Sequence, residues 1–180
     1  VRVVALRAEG GLFTAGNDLA DFADLADDDR PAEQWPVTRF LRALISCGAP
    51  VIAAVQGRAV GVGTTMLLHC DLVYVSRDAK LRTPFVNLGL CPEFGSSLLL
   101  PRLLGQARAA EVLLLGEPFT GEQAAEWGIA GAAFEDGPST LAKAREMALR
   151  FLDLAPSAVA DSKRLMRAPG REELRKVIEE

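Results

Sequence analysis

The 180-residue sequence reads as an α/β domain in which helices pack on a sheet core. Two patterns carry that reading: short β-branched apolar runs alternate with helix-period segments, and a mostly helical tail follows. Val1-Arg2-Val3-Val4-Ala5-Leu6 opens the chain as a strand over residues 1–7 and runs into the Glu9-Gly10-Gly11 loop. Residues 18–26 are patterned as a helix and lead into the polar Asp27-Asp28-Asp29-Arg30-Pro31 stretch. Over 35–47, Val37, Phe40, Leu41, Leu44 and Ile45 fall on one helical face, and Gly48-Ala49-Pro50 ends it. Val51-Ile52-Ala53-Ala54-Val55 is a short, fully apolar, β-rich strand. A glycine-bearing turn at 57–63 opens a helix at 64–70, a strand follows at 71–75, and a further glycine turn at 87–95 precedes a helical segment at 96–104. Helices at 106–115, 120–127, 139–154, 157–167 and 171–180 complete the chain, interrupted by a short strand at 129–134. Thr120 and Gln123 have the spacing of a capping box.

Composition excludes several classes. With 49% hydrophobic and 24% charged residues the chain is globular rather than disordered. Twenty Lys and Arg against 24 Asp and Glu give a net charge of -4, and no dense basic tract occurs, so nucleic acid is not an expected partner. No apolar run reaches the roughly 18 residues of a bilayer span, so no membrane partner is expected either. Cys47, Cys70 and Cys91 are too scattered for a disulfide framework, and with one histidine, His69, no metal site is expected. The chain starts at Val1 inside a strand-like run, without Met, so a preceding N-terminal piece is expected. No signal peptide is visible, which makes the cytoplasm the expected location.

Three glycine-bearing turns follow strands: Thr14-Ala15-Gly16-Asn17-Asp18, Gly61-Val62-Gly63, and Leu88-Gly89 through Gly95. Such turns let backbone approach a ligand closely and expose N–H donors at a helix start, though each is also explicable as a plain turn. A dinucleotide fingerprint fails, because Met66 occupies the third glycine position and no acid follows near residues 81–85. His69 and Cys70 are adjacent and so point about 100° apart on a helix; His69 reads as a core histidine at a helix end rather than as a general base. Glu93 stands apart from the other acids. In Leu90-Cys91-Pro92-Glu93-Phe94-Gly95 it has apolar neighbours, and a desolvated carboxylate has the raised pKa that suits a base near neutrality. An acid placed at a helix N-terminus for its dipole fits the same spacing equally well.

The ordered motifs resemble the crotonase (enoyl-CoA hydratase/isomerase) superfamily. Leu12-Phe13-Thr14-Ala15-Gly16-Asn17-Asp18-Leu19 resembles its first oxyanion-hole loop, and residues 49–63, ending Gly61-Val62-Gly63, resemble the second. Cys70-Asp71-Leu72, the segment 103–111, Gly116-Glu117-Pro118-Phe119-Thr120 and 124–129 continue in the same order, so the likeness runs from residue 1 to about 167. It implies a crotonase-like spiral of ββα units over 1–134, a C-terminal helical trimerisation region over 135–180, and a homotrimer or dimer of trimers. It also implies an acyl-CoA thioester substrate, with coenzyme A part of that substrate and no separate cofactor.

Carried across by position, the backbone N–H groups of Asn17 and Val62 form the oxyanion hole. Ala15, Gly16, Asp18, Leu19, Gly61, Gly63, Phe85 and Phe94 line the substrate pocket. The two glutamates of typical hydratases fall at Thr65 and Phe85 here, and neither replacement moves a proton near neutral pH. Glu93 instead sits where peroxisomal-type Δ3,Δ2-enoyl-CoA isomerases, which resemble this chain in Thr83-Pro84-Phe85, Pro92-Glu93 and Ser96-Ser97, keep their single catalytic glutamate. The expected activity is transfer of a Δ3 double bond to Δ2. The alternatives are another crotonase reaction at the same carboxylate, hydratase-like or dehalogenase-like, and an inert CoA-binding member. Residues 24–35 are the expected specificity wall. Lys163 is a candidate contact for CoA phosphates, with a solvated basic face as its competing reading.

Overall fold

A computed structural model of the chain describes residues 1–18, 31 and 34–179. The strands among these are β1 (Val4–Arg7), β2 (Leu12–Thr14), β3 (Val51–Val55), β4 (Arg58–Val60), β5 (Leu72–Ser76), β6 (Lys80–Arg82), β7 (Phe119–Thr120) and β8 (Ala132–Phe134). The helices are α1 (Pro36–Ser46), α2 (Val62–Thr65), α3 (Ser96–Leu104), α4 (Gln106–Ala110), α5 (Gly121–Glu126), α6 (Gly137–Leu152), α7 (Pro156–Arg167) and α8 (Arg171–Glu179). Two four-stranded sheets result, ordered β1-β3-β5-β8 and β2-β4-β6-β7. All pairings are parallel except that of β6 with β7. The chain visits the sheets in turn, β1 then β2, β3 then β4, β5 then β6, which is the spiral of ββα units expected from the resemblance.

β3 lies between β1 and β5, and all five of its residues are buried. Side chains alternate across a strand, so Val51, Ala53 and Val55 enter the main core with Val73, Val75 and Leu81. Ile52 and Ala54 face the other way, into a second cluster with Tyr74 and with Leu141, Ala144, Met147 and Phe151 of α6. An interior strand with both faces covered needs no polar residue, which is why its sequence is an unbroken apolar run.

The residue-level reading located β3, β5, β8 and the helical second half, with shifts at their ends. Thr120 and Gln123 close both halves of their capping box at α5. Asp136 caps α6 in the same way through Ser139, which starts that helix at Gly137 rather than at 139. The helix expected at 64–70 begins at Val62 and tightens into a 3-10 turn, Met66–His69. The one expected at 106–115 relaxes into a π turn, Glu111–Leu115. The second sheet was not visible residue by residue. Its strands are two or three residues long, and β4 and β6 each bury one side chain, Ala59 beside the exposed Arg58 and Leu81 between the exposed Lys80 and Arg82. The helix expected at 18–26 and most of the wall expected at 24–35 lie outside the described residues. Among the described residues no helix is long and apolar enough to cross a membrane.

Candidate active site

The short sheet gathers the glycine turns. β2 pairs with β4 and β4 with β6, all parallel, so the three strands end on the same side. From those ends leave Ala15 to Asp18, Gly61 with α2, and Thr83 to Phe85. Thr64, buried in α2, fastens two of them by donating its hydroxyl to the Ala59 carbonyl (2.6 Å) and accepting the Arg82 N–H (3.2 Å). The Gly61 N–H donates to the Arg82 carbonyl at 2.9 Å.

The first two turns also touch. Gly16 has φ +94°, and a Cβ there would stand 2.8 Å from the Val60 carbonyl oxygen. A Cβ on Gly63, as actually folded, would meet the Thr14 methyl at 2.4 Å. Only unsubstituted backbone lets the Asn17 loop and the Val62 helix start approach this closely. Among the described residues, neither the Asn17 nor the Val62 N–H takes an acceptor. Asp18 and Ala15 flank the same turn, while Leu19 lies outside the described residues. Phe85 is buried, with its Cε1 4.0 Å from where a Gly61 Cβ would be. Thr65, expected from the resemblance to stand at a hydratase glutamate position, is fully buried and turns its hydroxyl to the Gly61 carbonyl at 3.5 Å.

Glu93 lies between a 3-10 turn, Val86–Leu88, and α3. Its carbonyl accepts both the Ser96 N–H (3.0 Å) and the Ser96 hydroxyl (2.6 Å), which anchors the loop to the first turn of α3. The side chain is half-buried, and among the described residues Oε1 is buried without a hydrogen-bond partner. A buried carboxylate without donors is strongly disfavoured against its neutral acid. Burial accordingly pushes the Glu93 carboxyl up to about 7. Phe94 follows with φ +57°, the one positive-φ non-glycine among the described residues. Its ring stacks on His69, centroids 3.9 Å apart, and its carbonyl oxygen is 2.8 Å from His69 Nε2.

His69 is therefore a core histidine, as read from the sequence, and burial lowers it to about 4. Its contact with the residue after Glu93 was not legible, because 25 positions separate the partners. Cys70 is not a nucleophile's thiol: burial pushes it up to about 12. The Lys163 alternatives both give way. Lys163 is 8% exposed and donates to Asp71 (2.6 Å) and to the Ala49 carbonyl (2.7 Å), so it neither forms a solvated basic face nor extends toward a phosphate. An α7 residue pointing inward at that position finds the carboxylate that ends the 3-10 turn of the second loop. Among the described residues no group of three His, Cys, Asp or Glu side chains is placed to hold a metal ion.

The two-sheet spiral, with glycine loops gathered at one edge of the short sheet, defines a crotonase fold. The chain matches the enoyl-CoA hydratase/isomerase family over residues 1–180 and belongs to that family. It is similar to a probable enoyl-CoA hydratase of Bacillus subtilis, 32% identical over 161 residues, covering 89% of this chain and 62% of the relative. It is also similar to the Homo sapiens enoyl-CoA delta isomerase 2, 34% identical over 180 residues, covering 97% of this chain and 45% of that protein. Among solved structures it resembles Pseudomonas aeruginosa OdaA, with TM-score 0.92 and 60% identity over 99% of this chain and 71% of that one. The chain thus spans less than two thirds of either curated relative.

Proposed function

We propose that this chain carries the active centre of an acyl-CoA isomerase that moves a Δ3 double bond of an enoyl-CoA to Δ2, with Glu93 shuttling the proton. The observation that carries the reading is the Glu93 carboxyl itself, half-buried, with a desolvated, unpartnered Oε1 and poised near neutrality. Thr65 and Phe85 stand where a hydratase pair would need glutamates, which supports single-acid chemistry over addition of water.

In this mechanism the Glu93 carboxylate removes a proton from C2. The C2–H pair forms a C1=C2 bond and the carbonyl pair moves onto the thioester oxygen, giving a dienolate that keeps C3=C4. As the carbonyl reforms, the C1=C2 pair becomes the product's C2=C3 bond and the C3=C4 pair takes up the proton at C4. The Asn17 and Val62 N–H groups donate to that oxygen, and each such preorganised donor is worth on the order of 3 kcal/mol in the transition state. The protonated Glu93 then delivers its proton to C4, which restores both the thioester and the carboxylate. Ala15, Gly16, Asp18, Leu19, Gly61 and Gly63 line the thioester's approach in this reading, and Phe85 and Phe94 keep water from the dienolate. Assembly as a homotrimer or dimer of trimers belongs to the same proposal. Leu114, Leu115, Leu165 and Met166, all well exposed on this chain, supply apolar surface for it.

Incubating the intact protein with a 3-enoyl-CoA in D2O tests the reading. Formation of 2-enoyl-CoA with deuterium entering at C2 and C4 is expected. A protein that binds the thioester and neither forms 2-enoyl-CoA nor exchanges either position overturns it.

A further inference from the structure

We propose that His69 is a positioning residue, holding the Glu93 carboxyl in its buried orientation by clamping the peptide that follows it. The proposal deepens the reading of Glu93 as the base and rests on it. Phe94 occupies the left-handed region, which is strained for an L-residue with a side chain and persists only where the surroundings impose it. His69 supplies that imposition twice. Its ring stacks on the Phe94 ring at 3.9 Å with 26° between planes, and Nε2 lies 2.8 Å from the Phe94 carbonyl oxygen. A carbonyl can only accept, so Nε2 carries the proton, and a neutral ring leaves Nδ1 bare.

The clamp is anchored in turn. The His69 carbonyl accepts from Arg167 Nη2 (2.6 Å), and Arg167 and Lys163 of α7 both pair with Asp71. The charged groups around His69 are thus Arg167, Lys163 and Asp71, and the Cys70 thiol beside it stays neutral. Arg167 opposes a second positive charge on the ring, and burial opposes it more strongly. The clamp therefore holds unchanged across the pH range in which Glu93 changes charge. On the other side of Phe94, Ser96 fixes the Glu93 carbonyl through its N–H and hydroxyl. With the peptide held at both ends, the Cα–Cβ direction of Glu93 is set, and Oε1 stays where no donor among the described residues reaches it.

The test uses His69→Phe, which keeps the stack and loses the donor, and His69→Gln, which places an amide N–H near the position of Nε2. Two readouts are taken on the intact protein: C2 exchange with a 3-enoyl-CoA in D2O, and the titration of 13C-labelled Glu93 carboxyl by NMR without substrate. His69→Phe is expected to lower kcat roughly 10²-fold with KM little changed. Its Glu93 titration should move from about 7 toward the ordinary 4.5. His69→Gln is expected to recover most of both. If His69→Phe does not fold, His69→Asn, whose shorter amide falls short of the carbonyl, takes its place. A folded donorless variant whose Glu93 titrates as in the parent overturns the clamp, as does a kcat loss that His69→Gln fails to recover. Absence of both 2-enoyl-CoA formation and exchange in the parent protein overturns the Glu93 reading instead, and the NMR titration then decides the clamp by itself.

Discussion

Lys163 and Asp71, 92 positions apart, meet in a buried ion pair of 2.6 Å that binds α7 to the mouth of β5. The same carboxylate accepts the Val51 N–H at 2.7 Å and pairs with Arg167 at 2.8 Å, so one side chain joins the start of β3, the second glycine loop's 3-10 turn and a distal helix. Removing one partner of such a pair strands the other charge away from water, which costs about 3–5 kcal/mol. Asp71→Ala should therefore lower Tm by more than 6 °C, at roughly 2–4 °C per kcal/mol for a chain of this size. Lys163→Met should cost clearly less, because Asp71 keeps Arg167 and the Val51 N–H as partners and is not stranded. Equal losses in calorimetry would contradict a stranded charge as the cause.

Glu93→Gln should reduce C2 proton exchange roughly 10²–10⁴-fold while leaving acyl-CoA affinity close to the parent's, the loss typical of a missing general base. Because the base acts ionised, kcat/KM of the parent should rise with pH through about 7 and then level. A rate flat from pH 5 to 9 would exclude Glu93 as the titrating base.

Stability should move the other way with pH. The native state binds the Glu93 proton more tightly than the unfolded chain, about 7 against 4.5, so its contribution is complete below 4.5 and is lost as pH rises through 7. Glutamine does not ionise. The Tm difference between Glu93→Gln and the parent should thus grow in favour of the variant from pH 5 to pH 8. His69 contributes with the opposite sign. Lowered from 6.5 to about 4, it stabilises fully above 6.5, and that contribution drains away as pH falls through 4. In the Glu93→Gln background, where no Glu93 titration offsets it, a Tm that does not decline between pH 6.5 and 4 would contradict the neutral, buried ring.

Gly16→Ala should fold and lose catalysis. Its methyl would press on the Val60 carbonyl from 2.8 Å in a φ region alanine disfavours, displacing the Asn17 amide. Loss of one oxyanion donor lowers kcat by about 10²–10³-fold. A folded variant with full kcat would remove the first loop from the oxyanion hole.

Gly95 is where α8 reaches the Glu93 loop. At φ +69° its missing Cβ leaves room for Leu174, whose Cδ1 would stand 2.4 Å from a methyl, and Arg102 and Glu173 pair nearby at 2.6 Å. Gly95→Ala should destabilise by roughly 1 kcal/mol or more. Adding Leu174→Ala should recover part of that loss in a double-mutant cycle, since the two sites touch. Strict additivity would place the whole cost in the backbone angle.

Local chemistry was sufficient for much of this protein. An unbroken apolar, β-branched run marked β3 as a strand, and its place between β1 and β5 explains why it needs no polar side. Thr120 with Gln123 announced a helix start, because both halves of a capping box lie within four residues. Pro92 and Phe94 placed Glu93 in apolar company. What the chain could not disclose locally was anything made by distant partners. The short sheet exists because β2, β4, β6 and β7 find one another, not because two or three residues with one buried side chain prefer to be extended. Lys163 looked like a surface cation until Asp71 met it, and His69 looked like core filling until Phe94 lay against it. Propensity and hydrophobic period act over a few residues, whereas a carboxylate's environment is assembled from loops that are neighbours only after the spiral has closed.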